Sequence, residues 1–225
     1  MFANFGTNII RAVSKYWGLF LEGVGITLLL SFITVFFATF LGSILALMRR
    51  SSIKAVNVVA RGYVELIRGT PLLLQLYLFY FMLPELLTFL NLSKFACVSI
   101  ALVINSSAYV CEIVRAGIQA VDPGQAEAAR TLGLNGRQTM LRIVLPQAVK
   151  NILPALGNEF VTVIKETSLA STFFVGDLMT AYATVRGSMF LVMEPLVVVG
   201  IIYFVLTFSL SKLISAFERR LQASD

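Results

Sequence analysis

Apolar residues fall in long blocks separated by short basic or polar stretches. The first block, Gly23–Met48, is uncharged and long enough to cross a bilayer with some tilt. Within it Ala38, Gly42 and Ala46 recur every fourth residue, a small-residue stripe suited to close helix packing. The next block is divided. Val56–Ile67 is helical in pattern yet carries Arg61 and Glu65; Arg68-Gly69-Thr70-Pro71 follows, and Leu72–Leu83 runs apolar to Pro84-Glu85. This predicts a helix interrupted at Gly69–Pro71, with Thr70 capping a half-helix that starts at Pro71. A third block, about 95–113, has a polar centre of Asn105, Ser106, Ser107 and Tyr109. A fourth, about 148–169, contains Glu159, Lys165 and Glu166, and a fifth covers about 189–211.

The pattern therefore predicts an all-α integral membrane protein, residues 1–225 forming one domain. Its five transmembrane helices lie near 23–48, 56–87, 95–113, 148–169 and 189–211. Residues 1–21, with Arg11, Lys15 and Trp17 beside apolar positions, read as an interfacial helix on the outer surface. They lack the apolar core and small-residue cleavage site of a signal peptide. The polar stretch 170–187 is expected outside as a loop or short surface helix. Lysines and arginines concentrate at 49–68, 115–150 and 212–220, which places these segments in the cytoplasm, the N-terminus outside and the C-terminus inside.

Composition narrows the class. Charged residues make up 13% of the chain, about half the share of a soluble domain, and 58% of residues are hydrophobic. A soluble reading is excluded. The net charge of +6 is spread over loops between apolar blocks, so no nucleic-acid partner is expected. Cys97 and Cys111 sit in one apolar stretch at a spacing unlike any metal motif and read as small core residues. The absence of histidine removes the commonest catalytic base and metal ligand. No catalytic residue, metal site or cofactor is expected in the chain, and an intramembrane enzyme is disfavoured.

One polar stretch interrupts the blocks: Asp122–Pro146, DPGQAEAARTLGLNGRQTMLRIVLP. Asp122 can cap a helix that begins with Pro123, Gln125 can return a bond as in a capping box, and Glu127 sits near the positive end of the dipole. Gly133 stops this helix in a left-handed turn, Asn135-Gly136 provides a second break, and a short second helix runs up to Pro146. The stretch reads as a helix–turn–helix elbow on a membrane surface.

Glu127-Ala128-Ala129, Gly133, Ile143, Leu145 and Pro146 resemble the EAA loop, EAA-x3-G-x9-I-x-LP, of ABC importer permeases. Arg68-Gly69-Thr70-Pro71-Leu72-Leu73-Leu74-Gln75 is similar to the RGTPLLxQL run of the polar amino-acid subfamily, which includes arginine, histidine and glutamine permeases. Glu112–Ile118 resembles its E-x-x-RGGI segment, with Ala116 where glycine is usual; 156–160 and 165–169 resemble GNEF and K[DE]TSL. The resemblance implies a type I importer permease-like fold in a bacterial inner membrane. Its coupling-helix loop lies between the third and fourth spans, and Glu127, Ala128, Ala129, Gly133 and Leu134 couple it to a cytoplasmic ATPase. No G-x-x-x-x-G-K-[ST] run exists here, so ATP and Mg would belong to that separate subunit. An external solute-binding protein is implied too, as is a homodimer or a paired homologous permease. Membrane lipid surrounds the whole. The alternative reading is a channel or ion-coupled carrier subunit.

The candidate substrate residues are Glu159, Asn105, Thr70, Ser107 and Asn158. At about 1.5 Å of rise per residue, Glu159 lies about 14 Å above Lys150 and Asn105 about 16 Å below Lys94, near mid-depth of a core about 30 Å thick. Thr70 lies about 24 Å above Lys54 on the same basis. Buried ionisable groups at that depth face a bundle interior or a cavity. A broken helix offers its N–H groups to a carboxylate. Against this, Glu159 can be a structural ion pair with Lys165 or an arginine, and Asn105 and Ser107 can be interhelical bonds. Arg68, Lys165 and Glu166 read as structural or gating charges, and Glu112 with Arg115 as a helix-surface pair.

Overall fold

The computed structural model describes residues 4–222, which are helical almost throughout and include no strand. The helices are α1 (Phe5–Arg49), α2 (Lys54–Arg68), α3 (Leu72–Leu86), α4 (Lys94–Gln119), α5 (Pro123–Thr131), α6 (Gly136–Thr139), α7 (Leu145–Glu166), α8 (Leu178–Met189) and α9 (Met193–Gln222). A π-helical turn, Met140–Val144, joins α6 to α7, and a 3-10 segment, Thr167–Phe173, follows α7. α1, α4 and the Met193–Leu221 part of α9 are long and apolar enough to cross a membrane; α2 with α3 adds a fourth crossing if the pair is one broken span. α7 is the least apolar helix of more than twenty residues, because Lys150, Glu159, Lys165 and Glu166 lie along it.

The expected separation of a surface helix from the first span is not a gap. α1 runs through 45 residues with one non-helical position, Tyr16 (φ −119°, ψ 17°). No proline or loop interrupts it, so the chain bends and continues. At about 1.5 Å per residue such a helix is about 68 Å long, twice the thickness of a bilayer core. A single crossing uses only part of that length, and the kink at Tyr16 divides the segment expected as a surface helix from the rest. Residues 1–3 of that expected helix fall outside the described residues.

The chain forms two compact units, each assembled from three segments. The first comprises 1–34, 71–103 and 160–210. In it α8 is pressed against α1 so closely that a Cβ on Gly23 would lie 2.9 Å from the Leu178 Cα. Asp177 caps α8, accepting from the Met179 N–H at 3.0 Å and from the Thr180 hydroxyl. Burial pushes the Asp177 carboxyl above the ordinary aspartate range, against the bonds from Thr180 and Met179 that lower it. The Thr27 hydroxyl oxygen accepts the Leu178 N–H at 3.1 Å. The polar stretch expected as an outer loop or short helix is thus a capped helix with Leu178, Ala181, Tyr182 and Val185 buried. Asn8 donates to Glu194 Oε1 at 3.0 Å, fixing the start of α1 to the start of α9.

The second unit comprises 35–70, 104–159 and 211–225. Here the small-residue stripe does what its spacing predicts: Ala38 and Ala46 are buried, and a Cβ on Gly42 would lie 2.7 Å from Val110 Cβ and 2.8 Å from the Ser107 carbonyl oxygen. α2 buries Ala60, Val64 and Ile67, which join Leu45, Ala46, Ala108 and the free thiol of Cys111 in one cluster. The helix break at Gly69–Pro71 is present, but Thr70 serves it differently. Gly69 stays right-handed (φ −85°), so the Thr70 hydroxyl still faces the end of α2 and donates to the Leu66 carbonyl at 2.9 Å. The N-cap position of α3 belongs to Pro71, with no side-chain cap.

Gly42→Val forces two extra methyl groups into the α1–α4 contact. A loss of about 1–3 kcal/mol is expected, read as a lower unfolding midpoint of the detergent-solubilised protein, while Gly25→Ala, with open space at its Cβ inside α1, leaves the midpoint the same or raises it.

Candidate functional site

The second unit carries the polar elbow, and its caps are where sequence chemistry put them, with one exchange. Asp122 accepts the Gly124 N–H at 2.8 Å and Pro123 opens α5. Because Asp122 reaches N2 rather than N3, the capping box expected from Gln125 is not made there. It forms at α6 instead, where Asn135 and Gln138 bond each other's backbone N–H at 3.0 Å. α5 ends in a Schellman motif: Gly133 has φ +85°, its N–H bonds the Arg130 carbonyl at 2.9 Å, and the Leu134 N–H bonds that of Ala129 at 3.1 Å.

This turn sorts the candidate coupling residues. Glu127, Ala128 and Gly133 are exposed, Ala129 is buried, and Leu134, folded back by the motif, is half-buried. Leu132, passed over in the sequence, is 84% exposed at the tip. Its signal was legible, since a Schellman motif packs the residue after the glycine and leaves the one before it outside. Beneath the elbow a cavity of about 350 Å³ is lined by Ile118, Val121, Ala126, Arg130, Met140 and Val144, among others.

The second elbow helix does not stop at Pro146. The chain passes from α6 through the π turn directly into α7, with the Leu145 N–H reaching back to Met140. Proline is tolerated in the first turn of a helix because its missing N–H has no obligatory partner there.

Above the elbow, Ser106 of α4 donates to Glu159 Oε1 of α7 at 2.6 Å. Ser106 lay in the polar centre of the sequence but not among the candidates; the 53 residues separating the pair hid it. Ser107 is committed elsewhere. Its hydroxyl meets the Tyr63 hydroxyl at 2.8 Å and donates to the Ile104 carbonyl at 2.7 Å, to which Tyr63 also donates at 2.9 Å. Asn105 is buried, Thr70 half-buried. Asn158 is exposed and opens onto another cavity of about 350 Å³, lined by Lys150, Asn151, Pro154 and Glu218 among others.

A third polar feature was read too modestly as a surface pair. The Glu112 carboxylate binds Arg49 through Oε1 and Arg115 through Oε2, the latter at 2.6 Å to Nη2 and 2.7 Å to Nε. Arg68 Nη1 stands 3.5 Å from Oε1, with its guanidinium 5.5 Å from the centre of the Tyr109 ring. The end of α2 is thereby tied to α4 about 10 Å further along the helix than Asn105, lower than a straight climb from Lys54 would bring it. Glu112 thus gathers three arginines, whereas the Glu159 carboxyl is met by the Ser106 hydroxyl.

The chain as a whole is similar to known proteins. Residues 38–223 match the family described as binding-protein-dependent transport system inner membrane component. The arginine transport system permease protein ArtQ of Bacillus subtilis (strain 168) is 40% identical over 205 residues, 91% of this chain and 93% of that protein. The probable glutamine ABC transporter permease protein GlnM of the same organism is 39% identical over 208 residues, 92% and 95% of the two chains. A crystal structure described as an amino acid ABC transporter with histidines superposes with a TM-score of 0.89 at 47% identity, over 93% of this chain and 97% of that one.

Glu112→Ala leaves three guanidinium groups facing one another without their shared anion. It is expected to cost about 1.5–3 kcal/mol, whereas Arg115→Gln, which leaves the Arg49–Glu112 pair in place, costs under about 1 kcal/mol. Thermal unfolding of the two purified variants checks the order.

Proposed function

The chain belongs to the family of inner-membrane components of binding-protein-dependent transport systems, and from that premise we propose that it is the permease subunit of an ATP-driven importer of polar amino acids, basic ones included. The observation that carries the substrate class is Glu159, a carboxyl group in the body of α7 met by the Ser106 hydroxyl and, among the described residues, by no ion pair. An ionisable group so placed in a membrane helix is costly unless a cationic partner arrives. The ammonium of an amino acid, or the cationic side chain of a basic one, is such a partner. Asn105, and the Thr70 oxygen as an acceptor, supply neutral hydrogen bonds in this reading, Ser107 supports the site through Tyr63, and Asn158, which opens onto the Lys150–Glu218 cavity, serves a different face of α7. That relatives are described as arginine and glutamine permeases agrees with it.

The elbow serves the energy supply. A separate cytoplasmic ATPase holds ATP and Mg, and the exposed Glu127, Ala128 and Gly133, with Leu132 at the tip and Leu134 behind it, seat against that subunit. An external solute-binding protein delivers the substrate, and a second copy or a paired homologous permease completes the path. Five spans, with the N-terminus outside and the C-terminus in the cytoplasm, put the elbow on the ATPase side.

Two measurements test this. Glu159→Gln should raise the substrate concentration for half-maximal uptake roughly tenfold to a hundredfold, the worth of a charge-assisted hydrogen bond, with ATPase assembly intact. A loss confined to arginine and lysine means that Glu159 reads the side chain, and a loss shared with glutamine means that it holds the α-ammonium; unchanged kinetics for all three remove it from the site. Gly133→Asp strains a left-handed turn that favours glycine and puts a charge at the tip, so uptake should cease while membrane insertion persists. Wild-type coupling of ATP hydrolysis to uptake in that variant would end the docking assignment.

A further inference from the structure

We propose that Arg68 receives the carboxylate of the transported amino acid, one turn of α4 away from the group that holds its positive charge. The assignment rests on the amino-acid reading above. Three facts about the Glu112 cluster lead to it. Both Glu112 oxygens are already taken at short range, Oε1 by Arg49 and Oε2 by Arg115, and Arg68 stands off at 3.5 Å. The cluster has three guanidinium groups for one carboxylate, so it is in surplus by two positive charges. Arg68 is also the most open of the three, its side chain 45% exposed against 18% for Arg49 and 38% for Arg115.

A buried ion pair is normally expensive to break because it strands a charge. Here the departure of Arg68 strands nothing, since Glu112 keeps two arginines. The Tyr109 ring under the Arg68 guanidinium orients the planar group without neutralising it. A guanidinium held flat with open N–H groups is the donor that matches a carboxylate in two parallel bonds, which an ammonium cannot do.

Position agrees with chemistry. Ser106, which holds Glu159, and Tyr109, which carries Arg68, are three residues apart on α4 and so share one face. Along α4, Glu159 meets Ser106 while Arg68 lies against Tyr109 and Glu112, three and six residues further on, about 5–9 Å in helix rise. An anion and a cation at that separation are complementary to a molecule carrying an ammonium or guanidinium at one end and a carboxylate at the other.

The test is direct binding of radiolabelled arginine and glutamine to the purified permease–ATPase complex, with no solute-binding protein present to read the carboxylate itself. Competition by argininamide and glutamine amide, which lack it, completes the measurement. The wild-type complex should prefer each amino acid to its amide. Arg68→Gln should weaken the amino acids roughly tenfold to a hundredfold and leave the amides unchanged, so that the preference collapses; Arg68→Lys should fall between. Equal weakening of acid and amide, or a preference retained in Arg68→Gln, overturns the assignment and leaves the importer reading standing. A wild-type complex that binds neither amino acid overturns both.

Discussion

A single carboxylate, Glu112, holds together three pieces of backbone that the chain delivers separately. Arg49 is the last residue of α1, Arg68 the last of α2, and Arg115 lies one turn further along α4. Each arginine at a helix end also interacts favourably with the negative pole of that helix. Without the shared anion, three guanidinium groups would crowd one small volume and push the ends of α1 and α2 apart. With it, the α2 register is fixed, Tyr63 meets the Ser107 turn, and the break at Gly69–Pro71 is held beside α4.

The two glutamates of this region illustrate opposite uses of a carboxyl group. Glu112 is saturated by cations and structural; its partners are all internal. Glu159 is held by one hydroxyl from the same α4, at 2.6 Å. A protein that needed only packing at that point would do as well with glutamine or leucine, at less cost in a membrane helix.

Much of this was legible in local sequence, because the relevant forces act over a few residues. Gly133 as a left-handed stop, Asp122 with Pro123 as a helix start, the Ala38–Gly42–Ala46 stripe and the break at Gly69–Pro71 all follow from backbone preference or spacing. What escaped depends on distant segments. The Glu112–Arg49 and Ser106–Glu159 pairs span 63 and 53 residues, and no periodicity announces them. The burial of one face of α8 escaped for the same reason: its sequence is polar enough for a loop, and only the close approach at Gly23 shows what lies against it. Local rules also misplaced two caps. Thr70 turns back to α2, and the capping box belongs to Asn135, because in each case the backbone one residue away decides which orphan group the side chain can reach.

The π turn at Met140–Val144 gives the elbow a mechanical property. A proline beside a polar loop ordinarily marks a joint, where bending dissipates. Here the wider turn carries the helical path past Pro146, and the chain stays helical from Gly136 to Glu159, with Pro154 inside α7 as a further interruption of the ladder. The 24 residues from Gly136 to Glu159 span about 35 Å, and on a lever of that length a tilt of about 5° at the base moves the far end by about 3 Å. That displacement is comparable to the 2.6 Å bond between Ser106 and Glu159. Rocking of the elbow by that amount is on the scale of the Ser106–Glu159 bond, and Pro154 is where the helix between the two can give.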